Sequence, residues 1–205
     1  MSAFTEQRVT IESDGLRLEG ALHAGGRALQ AVVLHPHPQY GGDMDNHVVV
    51  TLCRTLAEAG VATLRFNFRG AGASQGTFDG RAEAHDAIAA CEYLRSRKPD
   101  APLVLAGYSF GAGIAAAVSA DVEPTGMLLV SPPPQMMPAR LPAGVSTLIV
   151  TGGRDPIAPA APLRALETER HSLVVVEAVD HGWWPGIDQL ADAVREFVGN
   201  LLAEQ

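Results

Sequence analysis

The chain has 205 residues, 47% of them hydrophobic and 19% charged, with a formal net charge of −8. That is enough apolar material for one real core and too little charge for a disordered chain. The acidic balance argues against nucleic acid or anionic lipid as the main partner and fits plain solubility.

The first predicted element is a hairpin, with RVTIES and LRLEGALH flanking Asp14-Gly15, a favoured two-residue turn. No charged start followed by an apolar block marks MSAFTEQRVTIESDG as a secretion signal. After the hairpin, short apolar runs alternate with helical patterns. ALQAVVL precedes DNHVVVTLCRTLAEAG, and VATLRFNF precedes FDGRAEAHDAIAACEYLRSR. APLVLAGY precedes FGAGIAAAVSA, and TGMLLVS leads through a Pro-rich connection to VSTLIVTGG. PAAPLRALETE, HSLVVVEAV and a terminal helix complete the order. In that last helix Ile187, Leu190, Ala191, Val194, Phe197, Val198, Leu201 and Leu202 follow the 3-and-4 spacing of one buried stripe.

Uninterrupted Val/Leu/Ile strands imply a sheet covered on both faces, and intervening helices imply parallel strands. The expected fold class is α/β: a three-layer sandwich around a mostly parallel, doubly wound sheet with an N-terminal antiparallel hairpin. One domain spanning residues 1–205, without a cap, is expected. Cys53 and Cys91 lie outside any metal-ligand or redox spacing and on apolar helix faces, which predicts buried thiols. No apolar run approaches a membrane span. A cytoplasmic protein with no membrane or nucleic-acid partner is the resulting expectation, its oligomeric state open with a homodimer among the options.

Ligands of such sheets bind beyond the carboxyl ends of the strands, so chemistry belongs in the loops that follow them. GYSFG, Gly107 to Gly111, is a G-x-S-x-G motif between a strand and a small-residue helix. A serine at so sharp a turn needs small neighbours, which Gly107 and Gly111 supply; Gly113 lets the helix approach the sheet. The turn exposes the Ser109 hydroxyl and leaves the Phe110 N–H free at a helix start. A serine hydroxyl needs a base. Of seven histidines, His181 alone sits in the short loop VDHGWW after the last predicted strand, which brings it to the same sheet edge. The base needs an orienting carboxylate. Asp155, in GGRDPIAP, fits; Asp180 adjoins His181, Glu177 lies within a strand, and the alternative acid position carries Ser131 and prolines. The order is Ser109, Asp155, His181.

With LHPHPQYGGDMDN, RFNFRGAGASQG, AGYSFGAG, GGRDPIAP and VDHGWW, nearly the whole chain resembles the small capless bacterial α/β-hydrolases, near the dienelactone-hydrolase-like and esterase branches. The resemblance implies a serine esterase for small carboxylic esters, a small-molecule partner, and no cofactor or metal. It assigns Ser109 as nucleophile, His181 as general base and then acid, Asp155 as orienting carboxylate, and Phe110 as one oxyanion donor. It places a second donor in the loop after the third strand. Many relatives carry His-Gly-x-Pro there, and this chain has His35-Pro36-His37-Pro38. Proline has no N–H, so His37 is the candidate, with Gln39 or Tyr40 as substitutes.

Competing readings stay in view. His35, His37 and His47 or Asp45 are a possible metal cluster, lacking a distant ligand set. Asp43 or Asp45 is expected to cap the following helix. RGAGASQG is off the dinucleotide spacing and comes too late, leaving a structural loop tied by Arg69 and Asn67. Trp183 and Trp184 either line the pocket or pack at the core edge. Acyl transfer or perhydrolysis by the same residues, and a non-catalytic binding protein of this fold, are the alternative functions.

Overall fold

In the computed structural model, which describes residues 4–204, the hairpin forms where the sequence predicts it. Strand β1 (Gln7–Ser13) pairs antiparallel with β2 (Leu16–His23). Asp14 and Gly15 turn the chain with φ of 49° and 76°, the positive pair that matches strand twist in a two-residue hairpin.

The remaining strands are β3 (Gln30–Leu34), β4 (Ala62–Phe66), β5 (Leu103–Tyr108), β6 (Gly126–Val130), β7 (Ser146–Gly152) and β8 (His171–Val176). They build one eight-stranded sheet in the order β1-β2-β4-β3-β5-β6-β7-β8. β2 meets β4 antiparallel, and every pairing from β4 through β8 is parallel. The main helices are α1 (His47–Glu58), α2 (Glu83–Arg97), α3 (Phe110–Val122) and α5 (Ile187–Ala203); α4 (Ala160–Leu163) is a single turn. The predicted helix in PAAPLRALETE is thus short, giving way at once to a 3₁₀ turn at Arg164–Leu166.

Alternate strand residues go to opposite cores. Val32, Leu64, Phe66, Leu105 and Leu129 face α2 and α3, whereas Val33, Val104, Leu128 and Val150 face α1 and α5. Two covered faces explain why the strands read as unbroken apolar runs rather than alternating ones. The predicted stripe of α5 is realised: Leu190, Ala191, Val194, Val198 and Leu201 are buried, with Ile187, Phe197 and Leu202 packed at its border. Cys53 and Cys91 are free, buried thiols, their pKa pushed up to about 12 by desolvation.

Two buried arginines tie the hairpin to the loops beside the carboxyl ends of the strands. Asp86 of α2, its side chain wholly buried, accepts from Arg69 Nη2 (2.7 Å), the Arg69 N–H (2.9 Å) and Ser13 Oγ (2.7 Å), and Arg69 also reaches Asp14 (2.9 Å). Arg65 grips Glu6 with two bonds (2.8 and 2.7 Å), donates to the Met44 carbonyl (2.8 Å) and pairs with Asp45. Asn67 completes the tie, accepting the Met44 N–H (2.8 Å) and donating to Glu19 (2.8 Å). The expected structural role of Arg69 and Asn67 is met. The cap of α1 differs from expectation. Asn46 Oδ1 takes the Val48 N–H at 3.0 Å, while Asp43 bonds the Asp45 N–H and Asp45 is committed to Arg65. Among the described residues, no helix is long and apolar enough to cross a membrane.

Candidate active site

Strand β5 ends at Tyr108 and α3 begins at Phe110, so Ser109 alone makes the turn between them. Its φ of 53° and ψ of −118° lie in a region that a side-chain-bearing residue enters only at a cost of about 1–3 kcal/mol. The surroundings enforce it. The Ser109 N–H donates to the Val130 carbonyl (2.8 Å), and its own carbonyl accepts from Ala112 (3.0 Å) and Gly113 (3.1 Å). A Cβ on Gly107 would sit 2.4 Å from the Gly111 backbone, and one on Gly111 would sit 2.4 Å from the Leu34 carbonyl. Helix α3 therefore starts against the end of β3, which brings the loop after β3 to the serine. Gly113 has a different role from the one expected. A Cβ there would sit 2.7 Å from the Met136 side chain, so this glycine admits the loop after β6 rather than the sheet.

The three polar residues named from sequence come together. Ser109 Oγ lies 2.9 Å from His181 Nε2, and His181 Nδ1 lies 2.8 Å from Asp155 Oδ2. Beside a carboxylate, Nδ1 carries the imidazole proton and Nε2 is left to accept from the serine hydroxyl. Burial alone would raise the Asp155 pKa, but hydrogen bonds from His181, Ser131 and the Ala158 N–H outweigh it and hold the carboxyl below its usual range. Asp155 Oδ1 accepts from the Ile157 and Ala158 N–H groups, both at 2.9 Å, so the carboxylate is fixed from its own loop.

Further residues, which the sequence does not single out for this role, hold the arrangement in place. The Tyr108 hydroxyl donates to the His181 carbonyl, and His47 Nε2 donates to the neighbouring Gly182 carbonyl (2.9 Å). Trp183 is fully buried, and its Nε1–H donates to Ser131 Oγ at 2.9 Å. That bond leaves the Ser131 hydroxyl its proton to donate. Of the two tryptophans, Trp183 thus belongs to the core edge and Trp184 stands 74% exposed at the surface. Tyr108 is the variable position of G-x-S-x-G and carries no signal of its own. Ser131 is visible in the sequence only as the residue standing where an acid might have been.

The loop after β3 closes on itself. The Tyr40 N–H donates to the His37 carbonyl (3.1 Å), as does the Gly42 N–H (3.1 Å), and the Gln39 N–H points to His37 Nδ1 (3.3 Å). Gln39 and Tyr40 thus use their N–H groups inside the loop. Among the described residues, the N–H groups of His37 and Phe110 have no acceptor. The His37 ring packs on those of Phe110 (5.1 Å between centroids), Phe78 (4.6 Å) and Tyr40 (4.9 Å). Desolvation lowers its pKa and a nearby Glu83 opposes this. His35 is fully buried and serves the scaffold. Its Nε2 accepts the Phe68 N–H (3.0 Å), which leaves the proton on Nδ1 to donate to the Pro36 carbonyl (2.6 Å). Both nitrogens are therefore engaged within the protein, and no group of three His, Cys, Asp or Glu side chains among the described residues forms a metal-binding cluster. A cleft of about 1000 Å³ at the opposite end of the sheet, bordered by His23, Gln30 and Arg54, contains none of these residues.

Strand–serine–helix turn, facing imidazole and covering helices define the class of α/β serine hydrolases. The family model described as serine aminopeptidase, S33, matches residues 41–144, and the chain belongs to this α/β-hydrolase family. It is 32% identical over 200 residues to the uncharacterized protein RP471 of Rickettsia prowazekii, covering 89% of this chain and 84% of that one. It is also 29% identical over 107 residues to the lysophosphatidylserine lipase ABHD12 of Mus musculus, spanning 50% of this chain but 27% of that protein. Among solved structures, XC6422 of Xanthomonas campestris, described as an a/b serine hydrolase without lid, superposes with a TM-score of 0.86 at 28% identity, covering 98% and 97% of the two chains. A putative α/β hydrolase of Agrobacterium tumefaciens, ATU1826, gives a TM-score of 0.88 at 31% identity over 97% and 98%.

The buried His35 generates a pH prediction. Desolvation lowers its pKa to about 4, from an ordinary value of 6.5. Between those values the unfolded chain binds a proton that the folded chain does not, so stability is full above pH 6.5 and falls on acidification toward pH 4. The expected loss is on the order of 3 kcal/mol, since each tenfold change in proton affinity corresponds to about 1.4 kcal/mol. Urea unfolding midpoints measured across that window should fall more steeply for the parent protein than for His35→Gln, whose side chain does not titrate.

Proposed function

We propose that the chain is a single-domain, capless serine hydrolase that cleaves small carboxylic esters through an acyl-enzyme on Ser109. The observation that carries this reading is the continuous hydrogen-bonded chain Ser109 Oγ, His181, Asp155, at 2.9 and 2.8 Å. His181 Nε2 takes the proton of Ser109 as Oγ attacks the ester carbonyl carbon. The developing oxyanion is met by the free N–H groups of Phe110 and His37, the first at the positive end of α3. The intermediate collapses, the C–O bond to the alcohol breaks, and His181 returns the proton to the leaving oxygen. Water then repeats the sequence and releases the acid. The ionised Asp155 stabilises the imidazolium formed in each half.

Preference for esters over amides draws support from the lysophosphatidylserine lipase relative, and an apolar acyl group from the packed rings of Phe78, Phe110 and His37 next to Ser109. The connection from β6 to β7, residues 131–145, contributes only a 3₁₀ turn at Pro134–Met136 and returns to the core through Leu141 and Val145. That short return path fits an uncapped site.

Turnover of p-nitrophenyl esters of graded acyl length tests the reading, with amino-acid p-nitroanilides as the amide comparison. Esters should be cleaved, anilides at least about a hundredfold more slowly, and Ser109→Ala should lose about 10⁴-fold or more in kcat. Activity surviving in Ser109→Ala would assign the nucleophile elsewhere. The second oxyanion donor has its own test. At φ −57° and ψ 120°, His37 already holds the backbone of a proline, so His37→Pro removes the N–H with little strain. It should lower kcat by about 10²-fold or more, whereas His37→Ala should stay within about tenfold. Equal losses would move the role to the imidazole.

A further inference from the structure

Four large apolar side chains are notably exposed among the described residues: Tyr40 (88%), Ile157 (47%), Val174 (37%) and Trp184 (74%). Val174 sits on the edge strand β8. The other three stand on the loops that carry the candidate site. Tyr40 packs on His37, whose ring lies against Phe110, the residue after Ser109. Ile157 follows Asp155 by two residues and gives its N–H to that carboxylate. Trp184 follows His181 by three and stacks on His47 with centroids 4.0 Å apart and planes 11° apart. The parallel sheet brings all three loops to one edge, so the three exposed residues stand on the same end of the sheet as Ser109, Asp155 and His181.

We infer that this rim docks the enzyme on a neutral or zwitterionic lipid–water interface, from which an acyl ester enters the site directly. The inference rests on the ester-hydrolase reading for its substrate and adds where that substrate is found. Tyr and Trp favour the interfacial layer, where an apolar ring and a polar tip are both satisfied. Their area decides against a second protein copy. Aromatic side chains cover about 150–250 Å² each, so the rim offers on the order of 400 Å², roughly half of the ~800 Å² per partner of a stable interface. Charge selects the lipid. On the loops that carry the rim, exposed Asp180 stands against exposed Arg154, and the whole chain carries −8, so anionic headgroups are disfavoured. The net charge that speaks against an anionic membrane leaves an uncharged lipid surface open.

The chain supplies its own reporter, because Trp183 is buried and Trp184 is exposed. Inactive Ser109→Ala protein is mixed with phosphatidylcholine vesicles, and both flotation and tryptophan emission are read. The expected result is co-flotation with a shift of emission to shorter wavelength, weakened when phosphatidylserine is added to the vesicles. Tyr40→Ser/Trp184→Ser, made in the same background, should bind the vesicles at least about tenfold more weakly. Placed in the active chain, the same pair should leave p-nitrophenyl acetate turnover within about twofold. Absence of flotation, flotation unchanged in the double variant, or a concentration-dependent dimer that the double variant dissolves would each overturn the inference. Flotation is read without catalysis, so its failure is separable from a failure of the esterase reading.

Discussion

The site depends first on one backbone conformation. Ser109 is held at φ 53° and ψ −118° between a strand and a helix, and every other element of the site is positioned relative to it. The strain is sustained because the alternatives are blocked. Gly107 and Gly111 leave no room for a relaxed turn with side chains, the Ser109 N–H is bonded to β6, and its carbonyl is already the first acceptor of α3. A few kcal/mol of local strain is tolerated because the turn joins two fully buried elements in the middle of the sheet. Its consequence is chemical: the hydroxyl projects from the sheet edge while the next N–H stays unpaired.

The partners of that serine are held by bonds of equal specificity. Tyr108, the residue before Ser109, bonds the carbonyl of His181, and His47 at the start of α1 bonds the carbonyl of Gly182. The imidazole is therefore located by the same strand end that locates the hydroxyl. On its far side, Asp155 receives two N–H groups from its own loop, and Ser131, itself positioned by Trp183, adds a third element. Removing water from such a carboxylate would by itself favour its neutral form; the hydrogen bonds reverse the outcome and keep the charge opposite His181. His35 fixes the loop after β3 to the chain just after β4 through the Phe68 N–H, as a neutral imidazole in the core.

Much of this was legible in the sequence, for physical reasons that differ by feature. The strands could be read because burial on both faces leaves only apolar residues, as in QAVVL of β3 and GMLLV of β6. Ser109, Asp155 and His181 could be named because parallel topology sends every post-strand loop to one edge, which turns sequence order into spatial proximity. The bonds that orient them were not legible. Nothing in the residue types near Tyr108, Ser131 or Trp183 distinguishes a hydrogen-bonding partner from a core residue. Local competition misled in two places. Three acidic or amide side chains stand before α1, and Asn46 caps because Arg65 claims Asp45; Gly113 serves Met136, a partner from a loop with no periodic pattern. That His37 rather than a proline offers an N–H in this loop was readable from the chemistry of proline, and the loop geometry accounts for the N–H groups of Gln39 and Tyr40.

The most direct measurement is peptide mapping of a covalent adduct after treatment with a fluorophosphonate at neutral pH. One phosphonyl group per chain, on the peptide carrying Ser109, is predicted, with the rate of labelling reduced at least about a hundredfold in His181→Ala. A folded protein that remains unlabelled, or one labelled at another residue at a rate indifferent to His181, would contradict the account.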